Sequence, residues 1–177
     1  MRSLVGLLFT LLAMYGTASA QDARGSDPMA KFAPMVGEWH VRHTLWPPTG
    51  GRPEIFEGTA KMYFVADREV FVVDEVTSDN QYRFVGYHAF DPETRKYVNW
   101  TASSTLALAW SEGEWDDNAE VFRTRRLDPR TGQVDPLIGR GVWTIVDSDT
   151  NVFKAVRFGP DGSEVPFKEE RYSRIKR

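Results

Sequence analysis

From Gly37 to the C-terminus no stretch sustains a helical period. Short runs rich in valine, phenylalanine, tyrosine and threonine alternate there with turn residues. The pattern predicts ten strands, at about 38–46, 55–66, 69–78, 82–90, 96–102, 105–114, 119–126, 140–147, 151–158 and 165–174. The second shows the alternation plainly: Phe56, Gly58, Ala60, Met62 and Phe64 share one face, and Glu57, Thr59, Lys61 and Tyr63 the other. Between runs, Pro47-Pro48-Thr49-Gly50-Gly51 cannot continue a ladder. Ala66-Asp67-Arg68-Glu69 suits a tight hairpin, and Asp91-Pro92-Glu93-Thr94 and Asp128-Pro129-Arg130-Thr131-Gly132 suit type I turns. Asp116-Asp117-Asn118 and Gly159-Pro160-Asp161-Gly162 are further turns. Connections this short join sequential neighbours, so the expected topology is an antiparallel up-and-down meander. Closing it removes two exposed edges and buries one face of every strand, which predicts an all-β barrel of about 8–10 strands.

The chain before Gly37 reads differently. Asp27 and Pro28 make a helix start, N-cap followed by first helical position, and Pro34 and Gly37 keep that helix short. Its apolar residues Met29, Phe32, Met35 and Val36 would form a lid over the core. Residues 21–27 are polar and expected to be disordered. Arg2, the uncharged apolar run Leu4 to Tyr15 and the small residues Ala18-Ser19-Ala20 form a signal-peptide pattern over residues 1–20, with cleavage before Gln21. The apolar run is shorter than the roughly 20 residues of a membrane span. The expectation is an exported protein, periplasmic or secreted, with one barrel domain over residues 28–177.

Charge and composition narrow the function classes. The full chain carries 22 basic and 25 acidic side chains, and losing Arg2 with the leader brings the net charge near −4. No basic face suited to nucleic acid is evident, nor a lysine- and arginine-rich membrane-surface helix. The absence of cysteine removes thiolate nucleophiles, lipidation at an N-terminal cysteine and cysteine-bound metals. Eleven phenylalanines, six tyrosines and six tryptophans suit a β-rich core.

Gly37-Glu38-Trp39 opens the first strand directly after the short helix. That arrangement is similar to the Gly-x-Trp start of lipocalins, in which the tryptophan closes the barrel floor under a basic side chain of the last strand. Here Arg171 or Arg174 would take that structural place, by a cation–π contact and hydrogen bonds to backbone. Met35 to Trp39, Gly86 to Tyr97, Trp100, Ser111 to Asp116 and Glu170 to Arg174 together resemble a bacterial family, domain of unknown function 1579. The resemblance covers nearly the whole mature chain. It implies a lipocalin-like barrel and brings no reaction, cofactor or ligand with it. After Trp100 this chain has Thr101-Ala102-Ser103 in place of an aspartate–serine pair, so no role of that pair carries over.

Three histidines are the first candidates for chemistry. Alternation puts His40 outside, His43 on the Trp39 face and His88 on the face of Phe84, Gly86 and Phe90. Two interior imidazoles could orient a polar ligand group or hold a metal or haem, though ordinary hydrogen bonding in the core explains them as simply. No zinc-binding spacing is present, so no metal and no cofactor is expected. Asp74 and Glu75 are neighbours in an apolar strand, so one of them must face inward or lie near a barrel end. Beside His43 such a carboxylate could act as a general base; solvated or arginine-paired it would be structural. No serine lies in a nucleophile elbow, no phosphate loop opens a helix, and the Asn99-Trp100-Thr101 sequon falls in a strand. Met62, Phe64, Phe84, Phe90, Trp100, Leu106, Leu108 and Trp110 are candidates for an apolar pocket wall, widened by Gly58, Ala60 and Gly86. With His43 and His88 they predict a binding protein for a small, mostly apolar molecule. The alternatives are an enzyme using His43 with Asp74 or Glu75, and an interaction module with no internal ligand, marked by an exposed patch around Trp46 or Trp115.

Overall fold

A computed structural model describes residues 27–47, 50–104, 109–126 and 138–176. Residues 1–20, where a signal peptide is expected, most of the polar segment, Leu106, Leu108 and the turn expected at Asp128–Gly132 lie outside these residues, as does part of the Pro47–Gly51 loop.

Ten strands close into one antiparallel barrel. In chain order they are β1 (Gly37–Leu45), β2 (Glu54–Val65), β3 (Val70–Thr77), β4 (Arg83–Asp91), β5 (Lys96–Ser103), β6 (Ala109–Asp116), β7 (Ala119–Arg126), β8 (Gly139–Asp147), β9 (Thr150–Phe158) and β10 (Glu164–Arg174). Each strand pairs with its sequence neighbours, and β10 pairs with β1, Trp39 standing opposite Arg174. β6 continues to Asp116, beyond its expected end, because Asp117 makes the turn in the left-handed region at φ 53°. The hairpin after β2 holds Ala66, Asp67 and Arg68 all at positive φ.

The segment before β1 is a 3-10 helix, Pro28–Met35, with the Asp27 side chain accepting from the Met29 N–H. Pro34 lies inside its last turn instead of ending it. No helix among the described residues is long and apolar enough to cross a membrane. Met29, Phe32 and Met35 are buried, so this face plugs one end of the barrel. Phe32 stacks on Phe71 at 4.8 Å and meets Tyr97 and Trp115 edge-on, while the Tyr97 hydroxyl donates to the Pro28 carbonyl at 2.7 Å.

Trp39 is wholly buried, and its indole N–H donates to Met35 O at 2.9 Å. The Arg174 guanidinium lies 4.1 Å from the Trp39 ring centroid and donates to the carbonyls of Val36, Pro34 and Ser148. Of the two arginines expected there, Arg174 makes the contact and Arg171 is exposed, since adjacent strand residues face opposite ways. Gly37 is required beside this stack: its φ is +145°, and a Cβ would lie 2.5 Å from an Arg174 nitrogen.

Candidate functional site

The plugged end is packed, and the opposite half of the barrel encloses a cavity of about 890 Å³. It extends to the strand ends at Leu45, Ser103 and Phe158, with Phe56, Phe84, Phe122, Trp143 and Phe153 along its wall. Such a volume suits one small ligand.

Two clusters of buried ionisable side chains interrupt the wall among the described residues, and Gln81, Arg140 and Arg157 add polar lining of their own. In the first, the imidazole of His43 stacks on Phe56 at 4.7 Å and lies between two carboxylates. Its Nε2 is 3.4 Å from Glu75 Oε1 and its Nδ1 is 3.4 Å from Glu170 Oε1. Inward positions 168, 170 and 172 of β10 add the rest. Lys168 Nζ donates to Glu170 Oε1 at 2.6 Å, and the Tyr172 hydroxyl lies 2.9 Å from Glu75 Oε2 and 3.1 Å from Glu170 Oε2. That hydroxyl has one proton and two carboxylate neighbours, so it can donate to only one of them. The second contact is met when Glu75 is protonated and donates to the Tyr172 oxygen, which in turn donates to Glu170.

The electrostatics favour that assignment. Burial, followed by the charge of Glu170, raises the Glu75 carboxyl to about 7. For Glu170 burial also pushes upward, but Lys168 and His43 together outweigh it and hold the carboxyl down at about 2. Burial alone would lower Lys168, yet Glu170, Tyr82 and Glu75 keep its ammonium above the usual lysine range. Neutral Glu75 and the Lys168–Glu170 pair leave the group internally balanced.

His43, Glu75 and Glu170 bring one donor atom each within 4.8 Å of one another, which would suit a divalent cation. Lys168 already supplies positive charge at Glu170, however, and each imidazole nitrogen faces a different carboxylate. A cation would have to displace the ammonium and the Glu75 proton.

The second polar group lies deeper. His88 Nδ1 is 3.5 Å from Glu120 Oε2, and Asn99 Nδ2 approaches the same ring, 2.7 Å from Nε2. Glu120 is 1% exposed, and neither of its oxygens has a hydrogen-bond partner among the described residues. It stands in register with Trp115 on β6 and Trp143 on β8, whose indole N–H groups also lack partners there.

The predicted site residues separate into three places. His43, Phe84 and His88 line the cavity. Met62 and Phe64 belong to the packed end, where Phe64 meets Phe71 edge-on at 5.4 Å. Trp100 and Trp110 lie on the outside, correcting the expectation that they form pocket wall. The inward residues of their strands are Asn99, Thr101 and Ser111, so their own side chains face away. Of the acidic neighbours, Glu75 points inward, while Asp74 points outward and pairs with Arg83 at 3.1 Å. His40 is exposed. Gly58 does not widen the cavity, because a Cβ there would meet the Val76 carbonyl at 2.6 Å; Ala60 is core, and the Phe84 ring covers Gly86. Trp115 packs against Phe32, so it makes no exposed patch.

Sequence reasoning missed Lys168, Glu170, Tyr172 and Glu120. A period of two along β10 links the first three, and Glu120 shares a face with Phe122 on β7.

Among solved structures, Rv2717c from M. tuberculosis is similar, with a TM-score of 0.60 and 14% identity over 85% of this chain and 99% of that one. A protein of unknown function from the DUF3598 family, from Nostoc punctiforme PCC 73102, also matches, with a TM-score of 0.49 and 14% identity over 81% of this chain and 48% of that one. At that identity the likeness to Rv2717c shows the barrel fold alone. No curated protein sequence matches the chain. A family model matches residues 26–174, nearly the whole described barrel, and the chain therefore belongs to the family described as protein of unknown function (DUF1579).

Proposed function

We propose that this protein is exported and retains one small, mostly apolar molecule inside its barrel. The observation that carries this reading is the cavity of about 890 Å³ with aromatic walls, placed beside Lys168, Glu170 and His43. Burial of apolar ligand surface against these rings supplies affinity, and the polar group fixes which end of the ligand enters. Catalysis by Glu75 and His43 is the weaker reading. The two side chains face each other, the second imidazole nitrogen faces Glu170, and Glu75 lies behind the cavity wall instead of lining it.

Native mass spectrometry of protein purified from its own host tests both parts. The expected spectrum shows a chain beginning at Gln21 with one additional small mass that denaturation releases. A ligand-free mass, together with no uptake of an apolar fluorescent probe, would remove the binding reading. A chain still carrying residues 1–20 after passage through its host's export route would remove the export reading.

A further inference from the structure

Arg140, Arg157 and Lys168 all line the cavity, but their surroundings differ. Glu164 accepts from Arg140 Nε and Nη2 at 3.0 and 2.9 Å, and Glu170 accepts from Lys168 at 2.6 Å. Arg157 has no such partner. Among the described residues no carboxylate lies within 4.0 Å of its guanidinium nitrogens, and no acceptor takes its N–H donors. Its Cζ lies 3.8 Å from the centroid of the Phe167 ring. Period two along β9 puts Phe153, Ala155 and Arg157 on one inner face, with Arg157 nearest the open end. Its ladder partners are Gly139 on β8 and Val165 on β10, and neither side chain can carry charge. A bulge in β10 between Pro166 and Lys168 lets Phe167 as well as Lys168 line the cavity. The result is a half-buried cation against an aromatic ring, at the entrance to an apolar chamber.

We propose that the retained molecule is an amphipathic carboxylate, an apolar body whose single anionic head is bound by Arg157 at the open end of the barrel. The assignment rests on the ligand-binding reading and adds the head group to it. A guanidinium presents its N–H donors as a planar fork that matches the two oxygens of a carboxylate. Burial draws Arg157 below the usual arginine range with no neighbouring charge to offset it, so an arriving anion has a cation to neutralise. The interior sets the direction of entry. Along β9 the inward residues Ala155 and Phe153 stand opposite Lys168 and Glu170, and Glu120 lies buried on β7. A head driven to that depth would meet Glu170, whose charge Lys168 already balances, whereas Phe122, Trp143 and Phe153 receive an apolar tail.

Other head groups fit this entrance less well. A neutral one would strip water from the Arg157 guanidinium and return no opposite charge. A cationic one would set like charge against like. The carboxylates of the adjoining hairpin are engaged elsewhere, Glu164 by Arg140, and Asp161 by the N–H and hydroxyl of Ser163.

The test uses protein as its host produces it, stripped of bound small molecules and loaded with the neutral fluorescent probe N-phenyl-1-naphthylamine. Decanoate, decanol and decyltrimethylammonium, which share one chain length and differ in head charge, compete for the probe at about pH 6.5, where an ordinary carboxylic acid is ionised. Decanoate should bind about tenfold more tightly than decanol, and decyltrimethylammonium most weakly. Arg157→Gln should bring decanoate down to the affinity of decanol and leave decanol within about twofold, while Arg157→Lys restores part of the preference. Arg171→Gln, on the outer face, should change none of the three. The ranking of head groups on the unaltered chain keeps the test decisive should a variant fold poorly. Equal displacement by decanoate and decanol, or a decanoate preference that survives Arg157→Gln, would overturn the carboxylate assignment and leave the apolar-ligand reading standing. No uptake of the probe or of any of the three competitors would remove both.

Discussion

The single proton of the Tyr172 hydroxyl has a consequence for stability. Shared between Glu75 and Glu170, it favours a neutral form of one carboxyl, and the two groups move in opposite directions, Glu75 to about 7 and Glu170 to about 2. A raised carboxyl stabilises the fold fully below its unfolded value near 4.5, and that contribution is lost as pH rises through about 7. Glu170 does the reverse: its contribution is present above about 4.5 and is lost as pH falls through about 2. Between pH 5 and 8 the Glu75 loss therefore governs, and it is worth at most about 3 kcal/mol, since one pKa unit is about 1.4 kcal/mol. Glu75→Gln keeps the shape and a donor toward Tyr172 but has no proton to lose. Urea unfolding from pH 5 to pH 8 should show wild-type stability declining and that of Glu75→Gln nearly flat. Parallel slopes would refute the proton assignment.

At the scale of elements, closure of the barrel falls to the pair that is most distant in sequence, β1 and β10, together with the 3-10 helix that β1 follows. Arg174 joins all three, through its contact with Trp39 and its bonds to the Val36, Pro34 and Ser148 carbonyls. Arg174→Ala leaves those carbonyls without that donor and uncovers the indole, a cost of roughly 2–4 kcal/mol. Arg174→Lys should recover little, because a point ammonium cannot reproduce the planar fork. Arg171→Ala, on the exposed face, should stay within about 0.5 kcal/mol. Denaturant midpoints of the three variants check this ranking, and equal effects at 171 and 174 would contradict it. These elements were largely legible beforehand. Gly37, Trp39 and a late arginine announced the closure, and period-two alternation located ten strands, because a strand with one buried face writes that face into its sequence. Alternation placed His43 inward as well. On β5 and β6 residue size misleads: Trp100 and Trp110 look like pocket wall, although Asn99 and Ser111 are the inward residues. The polar group on β10 was hidden for a different reason. Lys168, Glu170 and Tyr172 look like an ordinary solvated ribbon until β1 and β3 are wrapped against them, and only closure shows that His43 and Glu75 wait on the other side.

The whole molecule divides along the barrel axis into a solid end and a hollow one. At the solid end Phe32, Met35, Trp39, Met62 and Phe71 are each no more than 1% exposed and interlock with the helix, and any enlarged side chain there would have to displace packed neighbours. At the hollow end the wall residues face empty volume, so substitution there should affect occupancy more than stability. Thr101 is the cleanest place to test this, because it faces the cavity and its inward neighbours on β4 and β6 are the small residues Gly86 and Ala109. In a filled core, Thr101→Phe would overpack at a cost of roughly 1–3 kcal/mol. In an empty cavity the new ring instead buries apolar area against Phe84 without displacing anything, so the melting temperature should hold or rise. The same ring occupies space a ligand would need, and the dissociation constant of an apolar fluorescent probe should increase about tenfold or more. Thermal melts and probe titrations on the one variant separate the outcomes: a large loss of stability with binding unchanged would mean that Thr101 lies in solid core and that the probe binds elsewhere.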